Sequence, residues 1–332
     1  MSNLNKKINS LDLLRGIAGY GVAITHYLFF VKEKINFEYY SYIFVEIFFI
    51  LSGFVLFKQL KKVYLEKKNL KIFYFRRWYR TIPLYIVALV FFTVLSNSYN
   101  LDFFKYILFV QKIVPDFISR DYFMVAWSLS IEELFYLFFP LYLIVFRNFN
   151  LSKITLIFIV FFIVLKIILY KDLNPNFLRT GSILRIDAIA VGFLLAIHYK
   201  KLIIYKNFIN IMFLISTVLL FNYNKLNLDE NFRTLSFIFS AEIFSVILLL
   251  FFVNLESILK NKYLISFSKI IAQQTYSVYL FHLIIMHLFL MTDIIYINNI
   301  FSYLITLFCL SFIVYKYFEL PILKQRPSYE NN

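Results

Sequence analysis

One cysteine, six glycines and six prolines are spread over 332 residues, and only 16% of the chain is charged. The lone Cys309 excludes an internal disulfide and a cysteine-based metal site. So little charge excludes a disordered chain, which shows the opposite bias. No fixed repeat is present, which excludes a solenoid. There is no HExxH, no glycine-rich phosphate loop and no GxSxG elbow, and the four histidines are scattered. Neither a metal site nor a serine nucleophile is therefore expected. What the chain has in excess is apolar surface: 61% of residues are hydrophobic and 21% aromatic, with 43 Phe and 26 Tyr. Soluble domains carry roughly 45–50% apolar residues. A chain of this kind uses the bilayer as its solvent.

Ten apolar runs follow one another, at about 11–31, 42–57, 79–96, 127–146, 154–170, 184–199, 208–222, 234–253, 270–291 and 299–318. A span needs about 20 residues, so the expected fold is an all-α integral membrane protein, a bundle of about ten transmembrane helices forming one domain. The stretch 103–118, broken by Lys105, Lys112 and Pro115, reads as interfacial or re-entrant. The first run follows Lys6 and Lys7 like a signal peptide, but Arg15, its length and the lack of a small-residue cleavage site argue for an uncleaved span. With both termini cytoplasmic, the inside segments carry 21 Lys and Arg against 10 outside, as the positive-inside rule requires. The net charge of +15 is thereby assigned to membrane orientation rather than to nucleic acid. The expected location is the inner (cytoplasmic) membrane, multi-pass.

Ionisable groups within spans are site candidates. Arg15 and His26, eleven residues apart on the first span, share a face and stand about 16 Å apart along the axis. Gly16, Ala18, Gly19, Gly21 and Ala23 keep that helix thin. On the fourth span Ser128, Glu132 and Tyr136 share a face at spacing four, which makes Glu132 a better inward carboxylate than Glu133. Glu46 precedes FFILSGF at 48–54, where Ser52 is polar and Gly53 points to a close helix or ligand approach. Arg76, Arg77 and Arg80 open the third span; arginines at a helix start suit phosphate. Arg185 and Asp187 open the sixth span, and Thr275, Tyr279 and His282 form a stripe on the ninth. Each has a plainer reading as an anchor or a packing bracket, and isolated Glu242 is given only that one.

Taken in order, Arg15-x10-His26, FFILSGF after Glu46, Arg77-x-x-Arg80, WSLSIEE at 127–133, Arg185–Gly192, YSVYLFH at 276–282 and FELP at 318–321 resemble the bacterial acyltransferase-3 family of membrane-bound O-acyltransferases. The resemblance covers about residues 9–327. It implies a ten-helix bundle that moves an acyl group, most often acetyl, from acyl-CoA to a hydroxyl of a cell-surface carbohydrate or its lipid-linked precursor. It further implies a stand-alone form without a periplasmic hydrolase-like domain. His26 matches the family's catalytic histidine, Arg15 its paired basic residue, Arg77 and Arg80 its arginine pair and Glu132 its fourth-span acid. Leu134 departs from a usual glutamine. Acyl-CoA is then a co-substrate, with no bound cofactor; the partners are the carbohydrate acceptor, membrane lipids and polysaccharide-assembly proteins.

Acyl transfer to an alcohol needs a base, oxyanion stabilisation and a grip on the donor. Histidine suits the first task, with an unperturbed pKa near 6.5. His26 is expected to act as the base, oriented by Glu132 or a nearby carboxylate; an acyl-histidine intermediate is the alternative. Arg15, Arg77, Arg80 and, beside them, Arg76 are expected to hold donor phosphates. Two rival readings are a transporter or flippase for a glycolipid or small anion, its path lined by Arg, Glu and His, and a non-catalytic scaffold. The first works without acyl-CoA and lacks the internal repeat many transporters show. In the second, His26→Ala is silent.

Overall fold

The structure is a computed structural model, and it describes residues 8–34, 37–118, 121–223, 227–291 and 299–329. Lys6, Lys7, Arg120 and Lys225 of the charge count lie outside the described residues. Among the described residues there are helices and no strands. In chain order they are α1 Asn9–Phe30, α2 Phe37–Leu65, α3 Asn69–Leu95, α4 Asp102–Ile107, α5 Ala126–Val145, α6 Leu151–Leu169, α7 Pro175–Thr180, α8 Ile186–Leu202, α9 Lys206–Phe221, α10 Glu230–Leu255, α11 Lys262–Gln273, α12 Thr275–Leu290, α13 Ile300–Val314 and α14 Leu320–Lys324. Only helices satisfy every backbone group within their own segment, which is why an apolar chain in lipid takes this form.

Eight described helices are long and apolar enough to cross a membrane. One of them, Ile183–Phe221, runs 39 residues through α8 and α9 and takes in two of the apolar runs. At 1.5 Å per residue it is roughly twice as long as the hydrocarbon is thick, and a 3₁₀ turn at Ile203–Tyr205 interrupts it. The ninth run, expected as one span over 270–291, is instead split. Gln274, fully buried, accepts from the Tyr20 hydroxyl at 3.3 Å between α11 and the 16-residue α12. The 103–118 segment holds only the six-residue α4 and irregular chain, as its broken hydropathy predicts. The third span also begins earlier than expected. α3 starts at Asn69, so Arg76, Arg77 and Arg80 sit in its third and fourth turns rather than at its open end. Any grip they have on an anion comes from their side chains, not from the helix N-terminus.

The chain divides into two compact units, described here one at a time. The first comprises Met1–Leu51, His198–Leu226 and Ser240–Phe312. In it α1 is closely flanked by its neighbours. A Cβ on Gly16 would strike Ile271 of α11, one on Gly19 would lie 2.7 Å from Thr275, and one on Gly21 would meet the Phe44 ring of α2. The start of α1 is capped by Glu256, whose carboxylate accepts from the Ser10 backbone N–H at 2.7 Å and the Asn9 amide at 3.1 Å. A carboxylate there meets both the orphan N–H groups and the positive end of the helix dipole.

The second unit comprises Ser52–Ile197, Asn227–Phe239 and Ile313–Asn332. Here Gly53 of α2 lies against the α8 backbone, and a Cβ would collide with the Ile189 carbonyl. That is the close helix approach expected from its sequence. Lys166 of α6 and Asp187 of α8 form an ion pair of 2.7 Å with both side chains fully buried, and Lys166 also lies 5.0 Å from the Phe239 ring centroid. Segments that the charge count puts on one side also meet. The Tyr64 hydroxyl donates to the Phe149 carbonyl at 2.6 Å, and Asn231 to the Lys171 carbonyl at 3.3 Å.

Two stability outcomes follow from these contacts. Gly53→Ala meets backbone and Gly21→Ala meets the end of a swinging ring, so Gly53→Ala is expected to lower the melting temperature in detergent more; overpacking of this kind costs about 1–3 kcal/mol. Asp187→Asn removes the compensating negative charge from a buried ammonium, at a cost of about 3–5 kcal/mol. The double change Lys166→Met with Asp187→Leu is expected to restore most of the loss in the same thermal assay.

Candidate active site

Arg15 and His26 both stand on the continuous helix α1, so the sequence-based spacing of about 16 Å along the axis holds. His26 is half-buried. Its Nδ1 lies 2.8 Å from Nε2 of His282 on α12. The two ring planes differ by only 11° and the ring centroids lie 5.1 Å apart. On its other side His282 places Nδ1 2.8 Å from the Tyr279 carbonyl oxygen. The Tyr303 hydroxyl donates to the His282 carbonyl at 3.1 Å and its ring stacks on Tyr27, 5.0 Å between centroids.

These contacts determine where the protons are. A carbonyl oxygen only accepts, so His282 Nδ1 carries its hydrogen. His282 is fully buried, and a buried imidazole with no carboxylate bonded to it is neutral. Its Nε2 therefore holds a lone pair and accepts from His26 Nδ1–H. That leaves Nε2 of His26 with a lone pair and no hydrogen-bond partner among the described residues. The chain of bonds thus leaves a lone pair on Nε2 of His26. The group holding its Nδ1 is a second histidine, where a carboxylate was expected from the sequence.

The second unit carries the remaining polar groups. Glu132 of α5 accepts from Ser52 of α2 at 3.2 Å and from Tyr136 at 2.8 Å. The spacing of four that puts Glu132 and Tyr136 on one face thus becomes a bond. Arg77 of α3, 7% exposed, donates to Gln59 at 3.1 Å and lies 5.9 Å from the Tyr136 ring centroid. Ser52, Glu132, Tyr136, Arg77 and Gln59 therefore form one network linking three helices. Ser128 is buried and bonds back to the Val125 carbonyl at 3.3 Å. Arg76 Nη1 donates to the Pro327 carbonyl at 2.5 Å. Arg185 is fully buried and reaches the Arg179 carbonyl at 3.2 Å, and Asp187 is held by Lys166. Glu46 is buried on α2 of the first unit.

Three bonded residues of this unit, Glu133, Thr81 and Gln59, were not singled out from the sequence. Glu133 accepts from Thr81 at 2.7 Å, so both carboxylates of the Glu132–Glu133 pair are bonded within the unit. Thr81 sits directly after Arg80, and Gln59 lies seven residues past Ser52, on the same helix face. That spacing was the available signal. No group of three or more potential metal ligands occurs among the described residues.

The first unit thus holds a bonded histidine pair, and the second holds arginines and bonded carboxylates. The chain belongs to the acyltransferase-3 family: the family model, described as an acyltransferase domain, matches residues 8–316. It is a multi-pass membrane protein of that family. A Haemophilus influenzae (strain Rd) protein described as uncharacterized is 30% identical over 210 residues, 54% of this chain and 85% of that protein. Two provisionally named O-acetyltransferases of Staphylococcus aureus, from strains COL and MSSA476, are each 33% identical over 157 and 154 residues. Those matches cover 41% and 40% of this chain but only 25% and 24% of the staphylococcal proteins. No solved structure matches.

His282→Gln is expected to retain more acyl-transfer activity than His282→Ala, because a glutamine oxygen can still accept from His26 Nδ1–H. The alanine variant should lose about 10–100-fold in kcat, with KM for the donor little changed, within the roughly 10²–10⁴-fold that general base catalysis supplies. Equal activity in the two variants would assign His282 a packing role.

Proposed function

We propose that the protein is a membrane O-acyltransferase that moves an acyl group, most simply acetyl, from cytoplasmic acyl-CoA to a hydroxyl of a cell-surface carbohydrate or its lipid-linked precursor. The observation that carries this reading is the bond chain Tyr279–His282–His26, which leaves Nε2 of His26 free to take a proton. Family membership and the named staphylococcal relatives support the reaction class.

In this reading His26 Nε2 removes the hydroxyl proton as the oxygen attacks the thioester carbonyl. The C–O bond forms, the tetrahedral intermediate collapses, the C–S bond breaks, and the CoA sulfur leaves with the proton returned from His26. The imidazolium formed in between is steadied by His282 Nε2 accepting from Nδ1–H. The positive charge of Arg15, on the same helix, is assigned to the donor, as are Arg77, Arg80 and Arg76. Glu132, held by Ser52 and Tyr136, keeps Tyr136 in place against the Arg77 guanidinium. The bacterial inner membrane is the location this assignment requires, since the donor is cytoplasmic and such acceptors are exported.

The test is turnover of labelled acetyl-CoA in membranes expressing the chain, with lipid-linked saccharides of the native host as acceptor pool. Label is expected to enter the saccharide fraction with wild type and to fall by about 10²–10⁴-fold with His26→Ala. Equal incorporation by both would remove His26 from the mechanism. Flux of a glycolipid without any acyl-CoA would favour a transporter instead.

A further inference from the structure

Four arginines converge at one end of the second unit, and the chain's own C-terminal tail lies on them. Arg76, Arg77 and Arg80 come from α3, while Arg326 follows α14. The route to Arg326 passes a π-helical turn, Tyr315–Glu319, immediately before Pro321. Burial, together with the charges of Arg76, Arg80 and Arg77 beside it, lowers the pKa of Arg326 to about 10. Like charges brought together repel, and an anion relieves them. Yet none of the four makes an ion pair with a carboxylate among the described residues. The acids within electrostatic reach of Arg77 and Arg80 have hydroxyl partners instead, Glu132 with Ser52 and Tyr136 and Glu133 with Thr81.

What covers the arginines is the tail. Arg76 donates to the Pro327 carbonyl at 2.5 Å. The Tyr329 ring centroid lies 5.4 Å from the Arg76 guanidinium and 4.8 Å from the Lys62 ammonium. The Nε of Arg76, the Nε of Arg77 and the Tyr329 hydroxyl are all buried without a hydrogen-bond partner. A carbonyl and an aromatic face are weak substitutes for phosphate, which accepts bidentate, charge-assisted bonds from guanidinium. The donors are thus in place, incompletely used, and held under a short strap.

We infer that the C-terminal tail is part of the donor site: Arg326 is a fourth ligand for the phosphates of acyl-CoA, and Pro327–Tyr329 is a cap those phosphates displace. This rests on the donor assignment made under Proposed function. The shared chemistry is a cluster of phosphate oxygens, and the nucleotide end of CoA supplies a diphosphate and a ribose phosphate in one molecule. The Pro327 carbonyl takes a donor of Arg76 and the Tyr329 ring covers its guanidinium, so a phosphate that engages Arg76 fully has to displace them and ligand and cap compete. The two parts of the tail therefore have opposite effects on affinity, which a merely structural tail would not show.

The experiment is calorimetric titration of CoA into the full chain in phosphatidylcholine nanodiscs, comparing wild type, Arg77→Gln, Arg326→Gln, Arg326→Lys and Tyr329→Ala, each checked for an unchanged melting temperature. Arg326→Gln is expected to weaken CoA about tenfold and Arg326→Lys less, while Tyr329→Ala tightens it at least threefold. Wild-type affinity in Arg326→Gln, with binding lost in Arg77→Gln, would overturn the role of Arg326 and leave the donor reading standing. Unchanged or weaker binding by Tyr329→Ala would overturn the cap. Absence of CoA binding by wild type would remove the donor reading itself. Repeating wild type in discs containing phosphatidylglycerol separates the two sources of phosphate. Unchanged affinity keeps the site for the nucleotide, whereas lost CoA binding assigns the arginines to lipid head groups and overturns the proposal.

Discussion

A polar group in hydrocarbon has to bring its partner with it, because no water is there to supply one. Each unit of this protein is organised around that constraint. Lys166 brings Asp187, Ser52 and Tyr136 hold Glu132, Thr81 holds Glu133, and Gln59 holds Arg77. The same rule determines the imidazole chemistry. His282 spends one nitrogen on the Tyr279 carbonyl and the other on His26, and the directionality of those bonds leaves the lone pair on Nε2 of His26. The pairing that stabilises buried groups elsewhere here leaves one ring nitrogen with its lone pair unbonded.

Such pairing works only if helices come close enough for short side chains to meet. The few glycines are placed where that happens. Gly16 and Gly19 bring α1 against Ile271 and Thr275, four residues before Tyr279, so the helix carrying His26 lies beside the one carrying His282. Gly53 brings α2 against the α8 backbone, one residue after the Ser52 that bonds Glu132. Small residues drive helix association where lipid gives no hydrophobic reward; the Ser52–Glu132 bond stands next to its close approach, and the His26–His282 bond about two turns from its own.

Much of this was legible in the sequence. The helical, membrane-spanning class followed from composition, and the bond of Glu132 with Tyr136 from helical spacing alone. Gly53 read correctly as a close approach because a glycine inside an apolar run has few other uses. What was not legible depended on contacts between distant segments. The bond between His26 and His282 crosses 256 residues, and no local pattern distinguishes His282 as a partner from His282 as packing. The buried pairing of Lys166 with Asp187 was hidden because it joins two different helices, and no local pattern links the two residues. The arginines were placed at a helix start because hydropathy marks where lipid begins, not where hydrogen bonding begins; α3 extends ten residues before the apolar run, starting at Asn69.

The central claim is the proton arrangement of the histidine pair, and nitrogen NMR of the full chain labelled at histidine, in bilayers, tests it most directly. Only four histidines are present, and His26→Gln and His282→Gln samples assign the two signals. The account predicts that both rings are neutral and carry hydrogen on Nδ1, with His26 Nε2 bare and a hydrogen-bond coupling between His26 Nδ1 and His282 Nε2. Hydrogen on Nε2 of His26, or no coupling between the rings, would contradict it.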